Sequence, residues 1–199
     1  KGLCQGEKAH VILVENSCIK AEFLKVDKST GQPISGAKLQ LTDDKGTVVE
    51  TWVSGEKPYR IYRIPKGLYT LTELEAPAGY KKGKPVTCQI EASDQLQSFR
   101  IMNVKYVTIK LQKTIHSEEI VKAHGTPCFF LGVAGQDLDG ESYTLFKEVR
   151  FPEVGIQEKK EYSVMISFQV PAGQYQAFEE KTARYMLEEI QNEKNGSIT

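Results

Sequence analysis

Ile64-Pro65-Lys66-Gly67-Leu68-Tyr69, with Glu73 six residues beyond its glycine, returns later as Val170-Pro171-Ala172-Gly173-Gln174-Tyr175, with Glu179 at the same interval. Proline and glycine mark a reversal, and the alternating run that follows marks a strand. Each copy also has, further upstream, a strand-like run that carries a lysine: Phe23-Leu24-Lys25 in the first and Leu111-Gln112-Lys113 in the second. A unit that occurs twice in this way predicts two tandem domains. They meet near Asn103 to Lys105 with almost no linker, an arrangement that suits a stiff rod better than a hinged pair.

Working outward from the first copy, alternating runs cover Ile19 to Asp27, Ala37 to Thr42, Thr47 to Val53, Tyr59 to Ile64, Leu68 to Glu73, Val86 to Glu91 and Gln97 to Asn103. Gly, Pro and Asp clusters such as Asp43-Asp44-Lys45-Gly46 separate them. Seven short strands at this spacing predict an immunoglobulin-like sandwich of two sheets around one core. Around the second copy the runs are Tyr106 to Thr114, Cys128 to Ala134, Ser142 to Phe151, Tyr162 to Val170, Gln174 to Glu180 and Tyr185 to Gln191. Ala183 to Ile190 is rich in helix formers, so a helix stays open there. The fold class is all-β, two tandem immunoglobulin-like β-sandwiches: residues 19–104 and 105–199, preceded by a closing-strand-like segment over 1–18.

Composition removes several classes of function. The 199 residues are 40% hydrophobic and 26% charged, an ordinary globular balance. Lys+Arg and Asp+Glu both number 26, so no net field draws the chain to nucleic acid or to an anionic membrane. No apolar run reaches the length of a membrane span. Lys1 opens the chain without a signal peptide, which fits a cytoplasmic protein or a piece cut from a secreted precursor. Cys4, Cys18, Cys88 and Cys128 lack zinc-site spacing, and sequence cannot rank their three possible disulfide pairings. Cys88 and Cys128 sit in strand-like runs and read as small buried hydrophobes; Cys4 beside Gln5 is badly placed for an internal thioester. His10, His116 and His124 show no metal spacing, and His116 and His124 are expected in a solvated loop from Ile115 to Thr126. No nucleophile elbow or phosphate loop is present, so no cofactor, metal or conventional enzyme is expected.

Three motifs, in order, carry a family resemblance. Leu24-Lys25-Val26-Asp27 followed by Thr30-Gly31-Gln32-Pro33-Ile34-Ser35-Gly36-Ala37 resembles the opening of a Cna B-type domain of Gram-positive surface proteins. Gly67-Leu68-Tyr69-Thr70-Leu71-Thr72-Glu73 running on to Pro77 and Tyr80 resembles its glutamate strand, and Ile101-Met102-Asn103-Val104-Lys105 its closing asparagine strand. The resemblance implies a spontaneous amide bond between Lys25 and Asn103, assisted by Glu73. The chemistry is physically reasonable, because burial disfavours a charged amine and lets a carboxyl hold a proton to polarise the carboxamide. Glu75 competes for the acid role if the pleat stays regular to Pro77. Read without the motifs, the residues favour Lys25 as a solvated strand lysine, Glu73 as its surface salt-bridge partner and Asn103 as a turn residue.

Residues 106–199 resemble major-pilin domains more loosely, with Lys113 as amine and Glu179 as acid, and with Lys110 and Glu180 replacing them if the register differs. Asn192 and Asn195 come too early for a closing asparagine, while Ala9-His10-Val11-Ile12-Leu13-Val14-Glu15-Asn16 looks like a closing strand placed before Lys25. A segment of a tandem array, a permuted chain or donation of Asn16 to a neighbouring subunit would each account for this. The implied function is a structural stalk or pilus shaft on the Gram-positive cell surface, with neighbouring domains or subunits as partners. The alternative is an adhesin domain that grips a host protein or glycan through Trp52, Tyr59, Tyr62 and Tyr80.

Overall fold

A computed structural model describes residues 17–116, 127–151 and 161–180. It is all-β, with twelve strands: β1 (Lys20–Asp27), β2 (Lys38–Thr42), β3 (Val48–Val53), β4 (Tyr59–Tyr62), β5 (Gly67–Glu75), β6 (Val86–Ile90), β7 (Leu96–Asn103), β8 (Tyr106–His116), β9 (Cys128–Asp137), β10 (Ser142–Arg150), β11 (Glu161–Pro171) and β12 (Gly173–Glu179). The first seven form a sandwich of sheets β4-β1-β7 and β3-β2-β5-β6. Its core is Phe23, Leu39, Leu41, Trp52, Tyr69, Leu71, Ile90 and Ile101, contributed by alternate positions of both sheets. Phe23 stacks on Phe99 with ring centroids 5.3 Å apart and tilts against Trp52 at 5.5 Å.

The remaining strands form sheets β11-β8 and β10-β9-β12, and their topology repeats the first five strands. As β1 pairs with β4, so β8 pairs with β11; as β2 lies between β3 and β5, so β9 lies between β10 and β12. The counterparts of β6 and β7 are absent among the described residues, which leaves β8 with one paired edge there. The repeated sequence motif has one local job in both halves. Tyr69 Oη donates to the Pro65 carbonyl at 2.8 Å and Tyr175 Oη to the Pro171 carbonyl at 2.9 Å. Each tyrosine thereby closes the reversal that launches its glutamate strand.

Three expectations need correction. Ile115 and His116 belong to β8 and not to a loop, because Ile115 is 4% exposed and its strand partners continue to Glu161. Cys88 is buried as expected, but Cys128 is half-buried and its thiol faces the Glu148 carboxylate at 3.0 Å. The expected strand to Ile64 also stops at Tyr62, since Arg63 adopts a left-handed conformation with φ 61°. Ile64 nonetheless stays in the core. The runs at Tyr185 to Gln191 and Ala183 to Ile190, together with Cys4, His10, His124, Asn192 and Asn195, lie outside the described residues.

Only Val104 and Lys105 separate β7 from β8, and the segment between β5 and β6 reaches across this junction. Tyr106 N–H donates to the Gly79 carbonyl at 2.8 Å, and Lys81 N–H donates to the Val104 carbonyl at 2.8 Å. The Lys81 ammonium lies among carboxylates of the β9–β10 turn, donating to Asp137 at 2.6 Å and Glu141 at 2.8 Å. Lys84 pairs with Glu141 at 2.7 Å and Lys28 with Asp139 at 2.6 Å. Asp137 turns its other oxygen to the N–H groups of Asp139 and Glu141. Burial opposes ionisation of Asp137, but Lys81 and those two N–H groups outweigh it and hold the carboxyl below its usual range. Glu141 is held down by Lys81 and then Lys84, from 4.5 to about 2.

A depressed carboxylate stabilises the fold fully above its unfolded pKa and loses that contribution as pH falls toward the folded value. The junction is therefore expected to weaken between about pH 4.5 and about pH 2 for Glu141. Calorimetric melts taken across that window should show a decline that Lys81→Met flattens; an unchanged acid limb in the variant would rule the clamp out.

Candidate functional site: a buried amine, carboxyl and carboxamide

β1 alternates inward at Ala21, Phe23 and Lys25, which settles the facing that sequence left open. β7 lies beside it in parallel, with Lys25 opposite Ile101 and Asp27 opposite Asn103. Lys25 and Asn103 thus sit two register positions apart on the same sheet face, and Glu73 on β5 points at them from the opposite sheet. All three are core residues, at 1%, 1% and 2% exposure respectively.

They touch one another. Lys25 Nζ donates to Asn103 Oδ1 at 2.6 Å and lies 3.2 Å from Glu73 Oε1. Asn103 Nδ2 donates to both oxygens of Glu73, at 2.8 and 3.0 Å. The amine therefore meets the oxygen side of the carboxamide and the acid meets its nitrogen side. Desolvation lowers the pKa of the Lys25 amine, while the charge and hydrogen bond of Glu73 oppose that shift.

Glu73 takes the inward position, and Glu75 does not, because the ladder slips at this point. Leu39 pairs with Glu73 and Lys38 with Glu75, so Leu74 is an extra residue in a β-bulge. The bulge turns Glu75 outward, where its side chain is 71% exposed and pairs loosely with Lys38 at 3.4 Å. The condition set by a regular pleat is not met.

Sequence reading missed Gly83. Its N–H donates to Glu73 Oε2 at 2.5 Å, and a Cβ placed there would meet Asn103 Oδ1 at 2.7 Å, Glu73 Oε2 at 3.3 Å and Lys25 Nζ at 3.6 Å. The only signal was a glycine within the basic stretch Lys81-Lys82-Gly83-Lys84, which reads as solvated loop. The carboxylate turn that holds Lys81 was missed as well.

In the second sandwich the structure brings Lys113 and Glu179 together across the sheets, with Nζ to Oε2 at 2.9 Å and the ammonium 4.5 Å from the Phe129 ring centroid. Lys113 is in phase with Ile109, Leu111 and Ile115, whereas Lys110 and Glu180 are exposed and take no part. Asn16 lies outside the described residues, and no asparagine among the described residues joins this pair. The four aromatic residues considered for host binding divide between core and surface. Trp52 is 6% exposed and stacks on Tyr59 at 4.7 Å, Tyr62 is exposed, and Tyr80 bridges to Lys105. Among the described residues, no helix is long and apolar enough to cross a membrane, and no group of three or more His, Cys, Asp or Glu is placed to hold a metal.

Residues 19–105 match the family model described as SpaA: Prealbumin-like fold domain. The matched residues are those of the first sandwich, the part of the chain that carries the Cna B-type motifs. No curated protein matches the chain. Among solved structures, it is similar to the Bacillus anthracis TIE protein, with 18% identity and a TM-score of 0.45 over 87% of this chain and 30% of that one. It is also similar to the minor pilin GBS52 of Streptococcus agalactiae, with 23% identity and a TM-score of 0.39 over 45% of each chain. A third similarity is to the major pilin subunit BcpA of Bacillus cereus, with 15% identity and a TM-score of 0.43 over 79% of this chain and 60% of that one. The chain spans less than two thirds of each of these structures.

Removing one member of a buried ion pair strands the other in low dielectric at a cost of about 3–5 kcal/mol, whereas replacing both with apolar groups is much less costly. Glu73→Leu should therefore be less stable in urea than Lys25→Met/Glu73→Leu by about that 3–5 kcal/mol. Glu75→Ala should stay within about 0.5 kcal/mol of the parent. Equal stability of the first two variants would mean that the pair is not electrostatically coupled.

Proposed function

We propose that this chain is a segment of an extracellular stalk or pilus shaft from a Gram-positive surface protein, whose first sandwich closes itself with an amide bond between Lys25 and Asn103. The observation that carries the reading is the convergence of amine, carboxyl and carboxamide at 2.6–3.2 Å, inside a core where each is at most 2% exposed. A hydrophobic core holds such a set only at a desolvation cost of several kcal/mol per ion. Stability alone gives no reason to retain it.

The geometry supports the following reaction. Proton transfer from the Lys25 ammonium to Glu73 leaves a neutral amine and a neutral acid, the form that a low dielectric favours. The amine attacks the side-chain carbonyl carbon of Asn103. Glu73 protonates the amide nitrogen it already touches and then takes a proton from the attacking nitrogen. One carbon–nitrogen bond forms, one breaks, ammonia leaves and Glu73 is regenerated. Folding supplies the proximity that an enzyme would gain by binding a substrate, so the event occurs once and involves no turnover.

The position of the bond suits a load-bearing element. β1 and β7 are parallel neighbours, so a pull on the two ends of the sandwich loads them in shear. Tension entering at β1 would cross at Lys25–Asn103 and leave toward β8. The 78-residue separation between the bonded groups would then be shielded, which withholds roughly 250 Å of extension at the span of an extended chain. On a chain-entropy account, closing a loop of 78 residues stabilises the fold by about 4.5 kcal/mol. Unlike a disulfide, the link does not respond to reduction.

The Lys113–Glu179 pair is read as the matching half-site of the second sandwich. Its carboxamide would arrive on a strand beside β8, as Asn103 does beside β1, and Asn16 is the candidate. Neighbouring domains or subunits of the same assembly are the expected partners.

Intact mass spectrometry of the unfolded chain tests the reading. The parent should weigh one ammonia less than its sequence mass, and Lys25→Ala, Asn103→Ala and Glu73→Ala should each restore the full mass. A parent at full sequence mass after prolonged folding would end the proposal.

A further inference from the structure

Glu73 has two oxygens, and the structure treats them differently. Oε1 faces Lys25 Nζ at 3.2 Å and Asn103 Nδ2 at 2.8 Å, whereas Oε2 accepts the Gly83 N–H at 2.5 Å and lies 3.0 Å from Asn103 Nδ2. A backbone N–H can only donate, so it keeps a lone pair of Oε2 engaged. The proton that Glu73 carries is thereby directed to Oε1, the oxygen that touches both the attacking amine and the departing nitrogen.

The geometry points to Gly83 as a positioning residue for amide-bond formation, acting through its N–H, which fixes which oxygen of Glu73 relays the proton, and through its missing side chain, which leaves room for the Asn103 carbonyl oxygen. The inference rests on the isopeptide reading given above. A Cβ at position 83 would lie 2.7 Å from Asn103 Oδ1, closer than nonbonded carbon and oxygen atoms sit. The backbone of Gly83 is not in the left-handed region, so alanine there meets the reacting amide without straining the chain. The segment between β5 and β6 that carries Gly83 is anchored separately at Lys81, whose N–H donates to the Val104 carbonyl and whose ammonium donates to Asp137 and Glu141. The segment is thus anchored at Lys81 while Gly83, two residues on, rests on the site.

The relay balances. The proton on Oε1 passes to Nδ2 as the carbon–nitrogen bond breaks, and a proton from the attacking Nζ returns to Oε1, so only ammonia leaves.

The test uses the full chain, synthesised in a cell-free system and quenched at intervals in acidic denaturant for intact mass. The parent should lose ammonia promptly. Gly83→Ala, shown folded by circular dichroism, should lose it at least about 100-fold more slowly, the equivalent of about 2.7 kcal/mol at the barrier. A spectroscopic readout separates positioning from a general effect on stability. In the unreactive Asn103→Ala chain, the Gly83 amide proton should resonate far downfield and move upfield when Glu73→Gln is added. A folded Gly83→Ala chain that reacts at the parental rate, or a Gly83 amide that ignores Glu73→Gln, would overturn the assignment of Gly83. A parent that never loses ammonia would instead remove the isopeptide reading beneath it.

Discussion

An ionisable pair and a carboxamide share the interior of the first sandwich, and the rest of the design follows from what that costs. Lys25 and Glu73 have side-chain exposures of 0% and 1%, well beyond what a surface salt bridge endures. Desolvation of two charges in such a place is repaid by mutual attraction only when the remaining hydrogen-bond capacity is filled. Asn103 supplies two of those bonds and Gly83 a third. Polar groups satisfied by one another and screened from water are also groups that can react only with one another. The packing that makes the site tolerable would also select the proposed chemistry.

That constraint reaches the backbone. Asn103 can meet Lys25 because β7 runs parallel to β1, and parallel neighbours require the chain to have traversed both sheets between them. Glu73 can meet both because the Leu74 bulge comes immediately after it, not before. Had the pleat continued without slipping, Glu75 would also point inward, and a second buried carboxylate would compete for one ammonium. The bulge therefore removes a like-charge conflict as well as setting the facing of one residue.

The sequence made much of this legible, for identifiable reasons. Alternation is a strong signal in strands with one buried face, so β1, β2, β5 and β7 are visible in the pattern of Phe23, Leu39, Leu71 and Ile101. The repeated proline, glycine and tyrosine of the two halves stands out because it does the same local work twice, through Tyr69 and Tyr175. The facing of Lys25 could not be read from its neighbours, since Leu24 and Val26 are as apolar as Phe23 and the run lacks clean alternation. Motif order selected it; periodicity did not. Gly83 and the Lys81 clamp were invisible for a different reason. Both act through long-range contacts of a segment whose composition is that of an ordinary solvated loop, and a backbone N–H carries no side-chain signature at all.

Among the described residues, the two halves of the molecule share one arrangement of lysine and glutamate. Both place a lysine on the leading strand and a glutamate on the strand after the tyrosine turn, and both bring the pair within 3.2 Å. They differ in what lies beside the lysine strand. Where β7 covers β1, the lysine side chain is 0% exposed; where no described strand plays that part for β8, Lys113 is 18% exposed and Glu179 7%. In the proposed reaction, the closing strand brings more than the carboxamide: it also completes the desolvation of the amine. Neither contribution is useful alone, because an amide beside a hydrated ammonium finds no nucleophile, and a dry amine without an amide has nothing to attack. Under the proposed reaction, a bond that forms only when its last strand docks would report on correct assembly by the same step that makes the assembly permanent.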